Sequence, residues 1–202
     1  MSTLSTSSLR PLYKAAQVRE LDRRTIASGI DSFALMQRAA SSAWHSFRSR
    51  WPQARSVTVL CGSGNNGGDG HVLAALAMQA GLKVQRLSSK PLAALTGDVA
   101  KAAELASAAG VGFDEWQPAT TLVGEVIVDA LLGTGLAGEP QGNIRQAIEA
   151  INGAHQPVLA LDIPSGLSAD SGAVLGSAVV ADGTVTFIGD KVGLHTGDAP
   201  AY

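Results

Sequence analysis

One segment limits the fold more than any other: residues 57–78, VTVLCGSGNNGGDGHVLAALAM. An apolar β-branched run enters a loop holding Gly62, Gly64, Gly67, Gly68 and Gly70, and a second apolar run follows. This is the pattern of a buried strand that turns sharply into a helix. Glycines let bare backbone N–H groups converge at the positive end of that helix, where phosphate is well held. A nucleotide is therefore expected at this loop.

Gly62, Gly64 and Gly67 spell G-x-G-x-x-G, so an NAD(P)-dependent oxidoreductase is one reading. That fingerprint also needs an acidic residue at the end of the next strand, about twenty residues on, to hold the ribose hydroxyls. The next apolar run, LKVQRL at 82–87, contains no acid, although its Arg86 could favour a 2′-phosphate. Asn65, Asn66 and Asp69 add polar side chains to a loop that ordinarily keeps them small. Such side chains want ligands of their own.

With 202 residues, 46% of them hydrophobic and 16% charged, the chain suits one domain with a sizeable core. A net charge of −2 and scattered basic residues argue against a nucleic-acid surface. The single cysteine, Cys61, excludes an internal disulfide, suits a reducing compartment and reads as a small buried hydrophobe. No apolar run reaches membrane-spanning length. The opening MSTLSTSSL lacks a signal-peptide core, so residues 1–12 are expected to be a disordered tail and the cytoplasm the simplest address.

Two helices are expected before the first strand. One covers 13–28 and ends at Gly29; the other, capped by Asp31 or Ser32, sets Met36, Ala39, Ala40, Ala43 and Phe47 at helical spacing before Pro52. This pair must pack beside the sheet, cover its site or meet another subunit. Trp44, Phe47 and Trp51 read as core or subunit contacts, and a homodimer is the expectation. From residue 56 strands at 56–61, 82–87, 125–129, 157–162 and 184–188 alternate with helices at 70–80, 96–109 and 142–152. Near-continuous apolar strands mark a sheet covered on both faces. The fold class is α/β: a three-layer α/β/α sandwich with a Rossmann-like, mostly parallel sheet and an N-terminal helical pair, spanning 13–202.

In such sheets ligands gather beyond the carboxyl ends of the strands. Four of these ends carry chemistry: the glycine loop, Asp129 followed by Gly133-Thr134-Gly135-Leu136-Ala137-Gly138-Glu139, then Asp162 followed by Ser165, and finally Lys191. Histidines 45, 71, 155 and 195 lack metal-ligand spacing, and neither a G-x-S-x-G elbow nor a P-loop is present. Asn66, Asp129 and Ser165 could hold a hard cation, for which a monovalent ion is at least as fitting as a divalent one. Asp162 and Lys191 could move protons.

GSGNNGGDG at 62–70, VDALLGTG at 128–135, DIPSGL at 162–167 and KVGL at 191–194 together resemble the ordered motifs of the YjeF N-terminal domain family, the NAD(P)H-hydrate epimerases. The resemblance runs from about residue 15 to the end. It implies interconversion of the R and S epimers at C6 of hydrated NADH and NADPH (NADHX and NADPHX), with a companion dehydratase acting on the S form. By the same resemblance Asn65, Asn66, Gly67, Gly68 and Asp69, residues 133–139 and Asp162 contact the substrate. Asn66, Asp129 and Ser165 bind potassium, and Asp162 with Lys191 serves the proton transfers. Lys191 could equally pair with a phosphate or a carboxylate. Family domains usually continue through another strand after the lysine motif, so the chain is expected to be the front part of a longer polypeptide, one that fuses the dehydratase in many organisms. A second class of function stays open, since relatives with this fold serve as non-catalytic binding or scaffold modules.

Overall fold

The computed structural model describes residues 10–202; most of the expected N-terminal tail lies outside the described residues, and Arg10 to Leu12 are exposed and without regular structure. Two helices come first, α1 (Ala15–Ala27) and α2 (Ser32–Arg50), followed by β1 (Ser56–Cys61), α3 (Asn65–Gln79), β2 (Lys83–Ser88), α4 (Gly97–Ala108), β3 (Asp114–Glu115), β4 (Val126–Ala130), α5 (Gly142–Gly153), β5 (Val158–Leu161) and β6 (Gly183–Val185). Asp31, one of the two expected caps, accepts a hydrogen bond from the Ala34 N–H at 2.9 Å and starts α2.

All six strands pair in parallel in the order β3-β2-β1-β4-β5-β6. The chain works outward from β1 to one edge, then returns to build the other half from β4. This is the doubly wound order, and its switch point lies between β1 and β4. Side chains at alternate strand positions serve opposite layers. Val57, Val59, Val126, Val128, Leu159 and Leu161 pack with α2 and α3, whereas Leu60, Ile127 and Val158 pack with Ala147, Ile148 and Ile151 of α5. Because it runs between the sheet, α2 and α4, α3 is apolar on nearly every side.

Phe47 is fully buried, with the Trp44 ring stacked on it at 5.4 Å and Trp51 at 5.7 Å. Phe47 is a core residue, and Trp44 and Trp51 pack partly buried against the same cluster. Cys61 is also in the core, and burial pushes its thiol up to about 12.

Three local expectations need correction. Helix α3 begins at Asn65, not residue 70, because the glycine loop coils into its first turns. The helix is drawn against the sheet there: a Cβ on Gly70 would fall 2.5 Å from the Ala130 Cβ and 3.0 Å from the Cys61 Sγ. The edge strand β3, two exposed polar residues long, gives no periodic signal and was not expected. The last strand stops at Val185 because the chain bends, with Ile188 in the left-handed region at φ 63°.

Arg86 also sits elsewhere than a 2′-phosphate would need. It points into the α4 layer, almost wholly buried, and donates to the carbonyls of Ala103 (2.8 Å), Gly112 (3.1 Å) and Val111 (3.3 Å) and to Ser107 Oγ (2.9 Å). Its donors close the C-terminal end of α4 and are not free for a ligand.

Candidate active site

The loops after β1 and β4 meet at the switch point. Gly62 N–H donates to the Ala130 carbonyl at 2.8 Å, and a Cβ on Gly62 would lie 1.8 Å from the Leu131 oxygen. Only a glycine admits that approach. Beyond it opens a cavity of about 760 Å³, a suitable size for a dinucleotide.

Every layer contributes to its lining. The start of α3 gives Gly64, Asn65, Asn66 and Asp69, and the loop after β4 gives Leu131 to Ala137. Asp162, Phe187 and Ile188 come from beyond β5 and β6, and Ser89 and Lys90 from beyond β2. Helix α1 lies along the cavity with Val18, Arg19, Asp22 and Ile26, joined by Leu35, Met36 and Ala39 of α2. The N-terminal pair thus divides its work: α1 covers the site, while α2 packs chiefly on α3.

Asp162 is the best-held polar group here. Its backbone adopts φ 67°, a region that asparagine and aspartate tolerate better than other non-glycine residues. Oδ1 accepts from the Lys191 ammonium and from the Phe187 N–H at 3.3 Å. Oδ2 has no protein donor among the described residues, and a Cβ on Gly133 would lie 3.3 Å from both Oδ2 and the Asn66 Cβ. One carboxylate oxygen is therefore anchored and the other sits beside the glycine loop. Lys191 is completely buried; it also donates to Thr186 Oγ1 (2.7 Å) and to the Phe187 carbonyl (2.8 Å). Its partner is thus a carboxylate, and it stands behind Asp162, outside the cavity lining.

Two more carboxyls face the same space. Asp69, almost fully buried and with no side-chain hydrogen bond among the described residues, is held well above the usual carboxylate range by burial, with the charges of Asp162 and Asp22 adding and Lys191 opposing. Burial, then Asp162, also raises Asp22.

A second cluster lies beneath the loops. The Asn66 amide donates to the Leu132 carbonyl (2.9 Å), Leu132 N–H donates to Ser165 Oγ (2.8 Å), and Ser165 Oγ donates to Asp129 Oδ1 (2.7 Å). Asp129 also accepts from the backbone N–H groups of Ser165 (2.8 Å) and Leu131 (3.1 Å). Its carboxyl is wholly buried with no ion-pair partner among the described residues, and burial pushes it up to about 6. Asn66 Oδ1 is buried without a partner among the described residues. An orphan oxygen beside an uncompensated carboxylate, a hydroxyl and a carbonyl fits a hard, weakly charged cation.

Of the expected site residues, Asn65, Asn66, Asp69, residues 133–137 and Asp162 line the cavity together. Gly67 and Gly68 do not: a Cβ on Gly67 would lie 1.9 Å from the Gly62 oxygen, and one on Gly68 2.5 Å from the Met36 Cε, so both serve close packing. Gly138 and Glu139 lie outside the lining, the Glu139 side chain packing on Gly176. Sequence reasoning missed Arg19, Asp22, Ser89, Lys90 and Ile188. One signal was available, since Asp22 interrupts a Val18–Ile26 stripe at a spacing of four, where a carboxylate is out of place on an otherwise apolar helix stripe.

Comparison with known proteins agrees with this fold. The family described as "YjeF-related protein N-terminus" matches residues 32–193. Over 191 residues the chain is 49% identical to the bifunctional NAD(P)H-hydrate repair enzyme Nnr of Coxiella burnetii, covering 95% of this chain and 39% of that protein. It is 38% identical over 189 residues to the NAD(P)H-hydrate epimerase of Limosilactobacillus fermentum, covering 93% and 90% respectively. The crystal structure of yeast ynu0, YNL200c, shares the fold with a TM-score of 0.81 at 20% identity, covering 93% of this chain and 85% of that one. The chain thus spans about two-fifths of the length of the Coxiella relative and most of the length of the single-function one. On the extent of the family match and these identities, the chain belongs to the YjeF-related protein N-terminus family.

Proposed function

We propose that this chain is an NAD(P)H-hydrate epimerase, an isomerase that interconverts the R and S forms of NADHX and NADPHX. The observation that carries the reading is Asp162, with one carboxylate oxygen anchored by Lys191 and the other open to a dinucleotide-sized cavity between two glycine loops.

The reaction exchanges a hydroxyl at C6 of the reduced nicotinamide ring. The ring nitrogen's lone pair expels the hydroxyl, leaving an iminium, and water returns from either face. The departing hydroxide needs a proton and the returning water must lose one. Asp162, whose Oδ2 has no protein donor among the described residues, is the proposed acid and base, while Lys191 would hold its carboxylate and fix its direction. The free N–H groups at the start of α3 would meet the pyrophosphate. Apolar lining from Val18, Leu35 and Met36 would limit competing water.

Asn66, Asp129 and Ser165 are the proposed potassium ligands. When bound, the ion supplies a positive charge that compensates Asp129 and braces both glycine loops. The companion dehydratase, fused or separate, would draw off the S form. A homodimer and a cytoplasmic location belong to the same proposal; sedimentation and cell fractionation test them. No described helix is long and apolar enough to cross a membrane.

The test begins from chromatographically pure (R)-NADHX in potassium buffer. Approach to the R/S mixture well above the spontaneous rate, abolished in Asp162→Asn, is expected. A wild-type rate equal to background would overturn the assignment.

A further inference from the structure

We propose that Ser89 and Lys90, at the end of β2, form a phosphomonoester subsite that makes the cavity prefer the 2′-phosphorylated dinucleotide; this rests on the reading of the cavity given above. The sheet order divides the cavity into two ends. Beyond β4 to β6 lie Asp162 and the loop at 133–137, where the reacting ring belongs. The other end is bounded by the continuation of β2.

In a sheet of this order each half receives one mononucleotide, and the end of β2 meets the second ribose at its 2′ position. An acid there accepts a free hydroxyl; a cation receives a phosphate. Here β2 runs out through Ser88, Ser89 and Lys90 with no acid. The Ser89 N–H continues the sheet by donating to the Cys61 carbonyl at 2.9 Å, which fixes the base of this turn. Ser89 and Lys90 both line the cavity. Lys90 is exposed, and its ammonium makes no ion pair among the described residues.

The one acid at this end is already occupied. Asp98 also lines the cavity, but it accepts from Lys101 Nζ at 2.8 Å and from Ser32 Oγ, and those partners hold its carboxyl below its ordinary value. It neither repels a phosphate strongly nor offers a free carboxylate to a ribose hydroxyl. Arg86, the other cation of this strand, has its donors committed to α4. Lys90 remains.

The test compares two stable fragments, ADP-ribose and its 2′-phosphorylated form, by calorimetry on the full chain. Wild type is expected to bind the phosphorylated fragment at least about tenfold more tightly, one well-placed ion pair's worth. Lys90→Ala should bring that ratio near one, Lys90→Arg should keep it, and Lys90→Glu should invert it. The same ratios are expected in kcat/KM for NADPHX over NADHX. Equal affinities in wild type, or equal losses for both fragments in Lys90→Ala, would overturn the subsite while leaving the epimerase reading intact. Absent epimerisation with a Lys90-dependent fragment ratio would do the reverse. Failure of both fragments to bind would likewise overturn the subsite, the epimerase reading standing or falling by the rate assay.

Discussion

Replacing Asp162 tests the chemistry and the fold together, and the structure separates the two. Lys191 is wholly buried, whereas the Asp162 side chain is 15% exposed. Asp162→Asn keeps the left-handed backbone and an acceptor oxygen, but it leaves the ammonium among neutral acceptors only: the new amide, Thr186 Oγ1 and the Phe187 carbonyl. Breaking a buried pair in this way costs about 3–5 kcal/mol, and the retained acceptor puts the cost near the lower figure, about 3 kcal/mol. Against a typical domain stability of roughly 5–15 kcal/mol the variant stays folded, with its urea midpoint lowered by about 1–1.5 M for a slope of about 2–3 kcal/mol/M. Lys191→Met leaves a carboxylate that reaches solvent and should cost about 1 kcal/mol or less. The double variant Asp162→Asn, Lys191→Met removes the stranded charge, so it should be more stable than Asp162→Asn alone, although equally inactive. Urea denaturation and epimerisation rates on the four proteins decide the matter. If the double variant were no more stable than Asp162→Asn, the ammonium would not depend on this carboxylate; if Asp162→Asn epimerised at the wild-type rate, Asp162 would not be the acid and base.

His71 should make the protein acid-sensitive: both ring nitrogens are buried without a partner among the described residues, and burial first, then Arg86, lowers its pKa from 6.5 to about 3. The unfolded ring takes up a proton that the folded one refuses, so stability is lost as pH falls through 6.5 and the loss is complete near 3; at pH 5 it amounts to about 2 kcal/mol. His71→Met should flatten that part of the pH profile in urea melts, and parallel profiles would show the imidazole to be solvated. For the cation cluster, exchanging potassium chloride for choline chloride should lower the wild-type Tm by about 5–10 °C at saturating ion, but leave Asp129→Asn unresponsive. Equal responses would move the ion elsewhere. Gly67→Ala should cost about 3 kcal/mol or more because its Cβ meets backbone oxygen at 1.9 Å, whereas Gly64→Ala, with open space around it, should stay within about 0.5 kcal/mol in the same assay.

Much of this protein was legible in one dimension. Near-continuous apolar runs and period-3.6 patterns placed the long elements within a residue or two, apart from the start of α3 and the end of the last strand, and glycine and aspartate at the strand ends marked the ligand edge, because those signals are local. Four separated motifs were enough to suggest the family. Tertiary structure decided what no local signal encodes. Glycines 67, 68 and 70 join a helix that their propensities oppose, because α3 must lie against the sheet and against Met36. Arg86 and Lys90 lie four residues apart on one strand and its exit, yet the first is buried in α4's carbonyls and the second faces the cavity. Lys191 reaches Asp162 across 29 positions in the sequence only because the chain bends after β6. The sequence by itself determined the alternation of strand and helix and the chemical groups at the strand ends, since both follow from side-chain type and spacing. Which groups share the cavity was decided by the parallel sheet order, which brings the separate loops together beyond one edge; burial in that arrangement raises the pKa of Asp69 and Asp129 and lowers that of His71.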